Sequence, residues 1–150
     1  MLPITHGFRL ALDQEDLDRS TIEARVDVGS ISTREADRDV HLKSADFFDV
    51  ANFPTITFAS KRVTKDREGR VKATGNLTIR GVTREIVLDV DGPTPPSKDP
   101  WGNLRIGASA STTINRKDFG LTWNSVLETG GVLVGDEVGI TIDVELVKKN

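Results

Sequence analysis

The chain has 150 residues, the length of one ordinary domain, and its 37% hydrophobic and 29% charged residues are typical of a globular protein with a moderate core. Its net charge is −3 with acids and bases interspersed, so no basic patch indicates a nucleic-acid partner. The absence of cysteine excludes disulfides, thiol catalysis and cysteine-ligated zinc. We therefore expect one domain over residues 1–150.

The sequence predicts neither a signal peptide nor a membrane-spanning segment. The N-terminus has no basic segment followed by an apolar run, and no apolar run nears the roughly 20 residues that span a bilayer. We expect a soluble protein without a membrane span. As the sequence stands it would be cytoplasmic, and it would be periplasmic if an N-terminal leader has been removed.

Alternation of apolar and polar residues, the pattern of strands with one buried face, dominates the sequence. Short turn sequences at Asp66–Gly69 and Arg80–Thr83 favour antiparallel hairpins. Long antiparallel strands with a single apolar face close into a barrel or stack as two sheets. About seven strands are predicted, with their first inward residues at Phe8, Ile22, Ile56, Val71, Ile86, Leu104 and Val138. The first of them extends to Leu12.

One segment, from Thr33 to Phe48, is typical of a helix. Leu42 and the pair Phe47–Phe48 are its expected apolar anchors, and Ser32 or Thr33 is expected to cap its start. The proline-rich segment 93–100 is predicted to bridge two strands without contributing much to a sheet.

Small residues occupy several inward strand positions at which a filled core would carry larger ones. A barrel lined in this way leaves dry volume that favours an apolar ligand over water. Alternatively, larger side chains from across the lumen fill the space, and the sequence does not decide between the two. The positions are Ala24, Ala73, Gly75, Ala108 and Ala110.

Catalytic groups are scarce, since His6 and His41 are the only histidines. His41 lies two residues from Asp39, which suggests an acid–base pair, but residues two apart on a helix do not face each other. We expect a structural role for His41 and keep catalysis by His41 and Asp39 in the barrel cavity as the alternative. No close group of histidines and carboxylates predicts a metal site, and no phosphate-binding loop predicts a cofactor.

A polar cluster, residues 115–120, separates two apolar strands. We interpret it as a strand end followed by a turn. In the alternative interpretation it forms a polar gate at the barrel mouth, where Arg116 or Lys117 meets an anionic headgroup. Trp123 suits either a wall of the cavity or the core.

Four blocks of the sequence, in order, are similar to the motifs of YceI-like proteins. The similarity runs from about Gly7 to the C-terminus, and four ordered blocks make it highly specific. The blocks are RDVHLKSADFFDV at 38–50 followed by FPTITF at 53–58, GNLTIRGVT at 75–83, INRKDFG at 114–120 and LETGGVLVGDEV at 127–138.

The resemblance implies an antiparallel, lipocalin-like β-barrel whose lumen binds a polyprenyl chain or an isoprenoid quinone. It also implies no enzymatic activity and frequent formation of homodimers. We expect sequestration or transport of such a lipid. The matched blocks and the inward strand parity together give the expected ligand-lining residues, which are Phe53, Phe58, Leu77, Ile79, Ala108, Ala110, Ile114, Phe119 and Trp123.

The chain departs from the family pattern at its start, because members usually carry further residues there with an aspartate, a His-Ser pair and a second histidine. A barrel without those strands has an open seam with unpaired edges, and such edges recruit other strands. An incorrect start site, a trimmed chain or a partner chain that closes the barrel would each explain the difference. An interaction module that acts through the open edge is therefore a third interpretation.

Overall fold

The structure, a computed structural model, describes the backbone of residues 6–11, 146 and 147, and the backbone and side chains of residues 20–92 and 94–145. The strands are β1 (His6–Ala11), β2 (Thr21–Asp27), β3 (Thr55–Lys65), β4 (Val71–Ile79), β5 (Val82–Asp91), β6 (Ser97–Lys98), β7 (Leu104–Asn115) and β8 (Glu137–Val147). One helix, α1 (Ala36–Lys43), and two 3-10 turns, Val28–Ser30 and Arg116–Phe119, complete the described elements. Leu12, predicted in the first strand, lies outside the described residues.

The strands form one antiparallel sheet in the order β1-β2-β3-β4-β5-β7, with β8 along the other side of β7 and the short β6 beside the start of β7. The sheet curls into a half-barrel, so the predicted antiparallel, lipocalin-like fold is confirmed. In the described part of the chain, the outer edges of β1 and β8 pair with no strand, as expected for an open seam.

Both predicted hairpins are present. Arg80 and Gly81 alone join β4 to β5, and both adopt left-handed backbone angles, with φ of 51° and 72°. This is the two-residue connection whose twist matches that of the flanking strands. In the hairpin between β3 and β4, the Oδ1 atom of Asp66 accepts hydrogen bonds from the amides of Glu68 and Arg70, each 2.9 Å long.

A β-bulge between Ser60 and Arg62 changes which residues of β3 face inward. Before the bulge the even-numbered residues face the core, and after it Val63 does, with only 1% of its surface exposed. At the bulge the hydroxyl of Ser60 accepts a hydrogen bond from the amide of Ile22, 2.8 Å away. The side chain thus satisfies a main-chain donor of β2 next to the interruption.

The core lies on the inner face of β2 to β5 and under the segment that follows β7. Its buried residues are Ile22, Phe47, Phe58, Val63, Ala73, Leu77, Ile79, Leu88, Ile114, Phe119 and Leu121. Two of the small residues that suggested empty volume lie in this filled region. Ala73 is fully buried, and a Cβ atom on Gly75 would lie 2.8 Å from the ring of Phe58. On β4, therefore, larger side chains fill the space.

The helix is shorter than predicted. It spans Ala36–Lys43, and the chain continues in turns through Phe47 and Phe48, because Ser44 leaves the helical conformation and its hydroxyl bonds to the carbonyl of His41, 2.6 Å away. The expected cap by Ser32 or Thr33 was also wrong, since Glu35 occupies the cap position. No helix in the described residues is long and apolar enough to cross a bilayer.

Candidate ligand-binding site

The inner face of the half-barrel differs in burial between its two sides. On the side of β3 to β5 the side chains are packed, and Phe58 keeps only 4% of its surface exposed. Along the middle of β7 and β8, by contrast, the inward apolar residues are only half-buried. We call this half-buried set the β7–β8 strip: Ala108, Ala110, Ile140, Ile142 and Val144.

Cross-strand register makes the β7–β8 strip continuous. Ala110 lies opposite Ile142 and Ala108 opposite Val144, so each small side chain on β7 faces a larger one on β8. On its other side, Ala110 lies opposite Val90 of β5, whose side chain packs against the core. Residues directly opposite on antiparallel strands share one face. The strip is therefore an apolar surface that begins where the core ends.

The structure brings most of the sequence-predicted lining residues to one region, with different degrees of burial. Phe53 is half-buried outside the core and its ring lies against the turn at Gly81. Ala108 is also half-buried outside the core, whereas Ala110 and Trp123 pack on its margin. Five others are fully buried in it: Phe58, Leu77, Ile79, Ile114 and Phe119.

Sequence reasoning did not select the β8 members of the strip, Ile140, Ile142 and Val144. Their alternation with polar residues indicates the strand and its inward face. The strand register was the additional information needed, since it places them opposite the alanines of β7.

One end of the half-barrel is covered by a small aromatic cluster around His41. The imidazole ring lies edge-on to Trp123, with ring centroids 4.5 Å apart, and edge-on to Phe47 at 5.0 Å. Its Nε2 atom lies 2.9 Å from Oδ2 of Asp46. The predicted structural role of His41 is thus apparent: it joins α1 to the segment after β7. Trp123 forms part of the cover at this end.

The proposed acid–base partner of His41 is engaged elsewhere. Oδ1 of Asp39 accepts hydrogen bonds from the amide of Thr33 at 2.8 Å and from its hydroxyl at 2.6 Å. The hydroxyl bond of Thr33 keeps the pKa of Asp39 below its usual value, more strongly than the nearby Lys43 and Arg38 do. Asp39 therefore fixes the entry to α1 and does not orient His41.

Arg116 does not face a ligand at the mouth, which corrects the gate interpretation. Its side chain is 3% exposed, and its guanidinium donates to the carbonyls of Leu121 at 2.6 Å, Trp123 at 2.8 Å and Gly135 at 2.8 Å. The interpretation of a strand end and turn is confirmed, because β7 ends at Asn115 and a 3-10 turn follows. Lys117, the other gate candidate, pairs with Asp136 at 3.2 Å.

The opposite end of the half-barrel carries a depression of 490 Å³ beside the start of β7, lined by both polar and apolar side chains. Its cation, Arg105, is already paired, with Nε 2.6 Å from Asp99 and Nη1 3.1 Å from Glu145. The hydrogen bond from Arg105 lowers the pKa of Asp99 to about 2. Among the described residues, no group of three or more histidines and carboxylates is placed to hold a metal ion.

The sequence and fold relate the chain to known proteins. The YceI-like domain family matches residues 5–146. The chain belongs to this family. A UPF0312 protein of Staphylococcus aureus strain N315 is 38% identical over 141 residues, which cover 92% of this chain and 79% of the relative. A second UPF0312 protein, from strain Mu50, matches to the same extent.

Solved structures agree with the family. The YceI protein of Campylobacter jejuni superposes with a TM-score of 0.81 and 29% identity, over 97% of this chain and 82% of that protein. BcnA of Burkholderia cenocepacia superposes with a TM-score of 0.77 over 95% of this chain and 84% of that protein. Its 19% identity supports the shared fold alone. The YceI-like family is known for binding hydrophobic ligands, and these names describe no reaction.

Proposed function

We propose that this YceI-like protein binds a long isoprenoid lipid, a polyprenyl chain or an isoprenoid quinone, along the inner face of the half-barrel. The protein does not change the lipid chemically. The observation that carries the proposal is the β7–β8 strip, an apolar surface that remains half-buried beside a filled core. Sequestration or transport of the lipid follows from binding that does not alter it.

Apolar contact supplies the binding free energy in this proposal. Transfer of an isoprenoid chain from water onto the strip is favourable by about 25 cal/mol for each Å² of apolar surface removed from water. The alanines at 108 and 110 leave room on β7, and the larger residues opposite them on β8 add contact area. Specificity then depends on the width and length of the strip and requires few polar contacts.

The sequence-predicted lining residues divide into two roles in this proposal. Ala108 and Ala110 contact the lipid directly. The fully buried members, such as Phe58 and Phe119, form the floor on which the strip rests. Trp123, in the cluster with His41 and Phe47, closes one end and limits how far the chain extends.

Native mass spectrometry of the purified protein, followed by organic extraction, tests the proposal. We expect a co-purifying or added isoprenoid at about one per chain. Ala110→Phe should lower its binding, because the new ring occupies the strip. The matched control is Ser111→Phe, which adds a similar volume on the outer face of the same strand. Equal lipid binding by both variants, or none by the wild type, would contradict the proposal.

A second candidate function rests on the outer edge of β8, which pairs with no strand among the residues that the structure describes. An exposed strand edge accepts a strand from another chain, so the edge favours homodimers or complexes with a partner. Light scattering with and without an isoprenoid separates the two candidates. An interaction module forms complexes whose mass is insensitive to the lipid, and Ser111→Phe and Ala110→Phe should then behave alike.

A further inference from the structure

A hairpin with exposed aliphatic side chains extends from the end of the half-barrel that carries α1. Val126 and Val132 form an isolated antiparallel bridge, and the flanking hydrogen bonds run from the amide of Leu127 to Gly131 at 2.7 Å and from the amide of Leu133 to Ser125 at 2.9 Å. We call residues 125–133 the apolar hairpin. It lies between β7 and β8, whose ends pair at Asn115 and Glu137.

Both faces of the apolar hairpin are apolar. Val126 and Val132, opposite each other, lie on one face, with 78% and 58% of their surfaces exposed. Leu127 and Leu133 alternate with them and lie on the other face, at 41% and 59%. A folded protein partner would cover one face of the hairpin, whereas the lipids of a bilayer would surround both faces. The exposure on two faces therefore favours lipid.

The hairpin is small and held firmly at its base. Asn124 pairs through its amide group with both the N–H and the carbonyl of Val134, at 3.0 and 2.8 Å. Arg116 bonds to Trp123 on one leg and to Gly135 on the other. Its four aliphatic side chains offer a few hundred Å² at most, whereas one partner in a stable protein interface contributes about 800 Å². A second copy of this chain is thus a less suitable partner for the apolar hairpin than a membrane.

Charge indicates which membrane surface is suitable. Between residues 123 and 135 the only charged side chain is Glu128, at the turn of the hairpin, and there is no lysine or arginine. Attraction to anionic headgroups is therefore not expected, and the carboxylate at the turn opposes deep insertion. The hairpin reaches about 10 Å beyond its base, comparable with the depth of the boundary between headgroups and acyl chains.

We propose that the apolar hairpin inserts shallowly and reversibly into zwitterionic lipid bilayers and brings the α1 end of the half-barrel to the membrane surface. Val40 of α1, 70% exposed, lies at the same end and adds to the contact. The proposal does not depend on which ligand the inner face binds.

Flotation with phosphatidylcholine vesicles tests the proposal on the full chain. We expect the wild type to float, and Val126→Ser/Val132→Ser and Leu127→Ser/Leu133→Ser each to lower the partition coefficient about tenfold. Val87→Ser, which alters an exposed valine on the outer face of β5, should leave it unchanged. Glu128→Gln should raise it several-fold, because it removes the one charged side chain of the hairpin.

A tryptophan reporter gives a second measurement. In a Trp101→Phe background, the emission of Leu133→Trp should be quenched by brominated phosphatidylcholine, relative to the same background without the reporter. Wild-type protein that does not float, equal flotation by all variants or an unquenched reporter would overturn the proposal. So would hairpin variants that lower the oligomeric mass in the absence of lipid, since the surface would then bind protein.

Discussion

Nη1 of Arg116 lies 2.8 Å from the main-chain carbonyl of Trp123 and donates a hydrogen bond to it, although Arg116 is among the most buried residues of the protein. The same guanidinium reaches Leu121 and Gly135, and its closest carboxylate, Asp136, is 4.0 Å away. Carbonyl dipoles therefore solvate most of this buried charge. Because the guanidinium bonds to both Trp123 and Gly135, it also joins the segment that leaves β7 to the segment that enters β8.

Replacement of Arg116 by methionine should lower the free energy of unfolding by about 3–5 kcal/mol, since it leaves several buried carbonyls without donors. Urea denaturation measures the change. Lys117→Met is the control, because Lys117 is half-exposed and pairs with Asp136 at the surface. Its effect should stay within about 1 kcal/mol. A small loss of unfolding free energy for Arg116→Met would contradict this expectation and would mean that water molecules donate hydrogen bonds to the carbonyls in place of the guanidinium.

Gly75 is required by the close approach of β3 and β4. A Cβ atom there would lie 2.3 Å from the carbonyl oxygen of Ala59 and 2.7 Å from Cα of Ser60, next to the bulge. Gly75→Ala should therefore destabilise the protein by about 1–3 kcal/mol or more. Gly139→Ala on β8, where a Cβ meets open space, should be neutral or slightly stabilising. Thermal unfolding compares the two, and equal effects would contradict the close contact.

Phe58 and Ile142 were assigned different roles on the inner face, and their truncation distinguishes those roles. Phe58→Ala removes a ring from the filled core and should lower the free energy of unfolding by about 3–5 kcal/mol. Ile142→Ala alters the half-buried strip and should cost about 1 kcal/mol while weakening isoprenoid binding. Denaturation and lipid titration together measure both quantities. A large loss of stability for Ile142→Ala would place it in the core.

Asp99 links the start of β7 to the loop before it through Arg105, and its pKa of about 2 lies below the ordinary value of 3.8. Because the folded state lowers this pKa, the stabilisation is complete above about pH 4 and is lost as the pH falls toward about 2. Asp99→Asn keeps an oxygen for the amides of Trp101 and Asn103 but removes the charge. The difference in free energy of unfolding between wild type and Asp99→Asn should therefore decrease as the pH falls from about 4 to about 2. Urea denaturation at each pH measures this difference.

A matched control for the acid effect is Asp143→Asn, which removes an exposed carboxylate of β8. Its gap to wild type should remain small at every pH. A gap for Asp99→Asn that stays constant down to about pH 2 would show that the pair with Arg105 does not contribute.

Much of the fold could be predicted from alternation because each long strand has one buried face. The third strand shows where this reasoning fails. Only Ile56 and Phe58 were recognised, although β3 extends to Lys65, because the bulge after Ser60 shifts the parity and places Val63 inward. The predicted helix was too long for a related reason, since Phe47 is buried and Phe48 is half-buried from turns rather than from helical positions.

The candidate site was predicted in part. Residue size alone could not separate Gly75, covered by Phe58, from Ala110, which remains half-buried, because the difference depends on which side chain lies across the face. Likewise, Arg116 in its polar block suggested a surface role. Its burial depends on carbonyls up to 19 residues away, which no local pattern indicates.

The uneven packing of the inner face also means that the sheet does not resist opening uniformly. Strands β3 to β5 are paired on both sides and cover the core, whereas β8, within the described part of the chain, pairs with β7 alone and carries the half-buried strip. Amide hydrogens of β4 should consequently exchange with solvent deuterium only on global unfolding, and those of β8 through local separation from β7. A lipid bound on the strip would slow exchange in β8 first, so the most labile strand is also the one that reports occupancy.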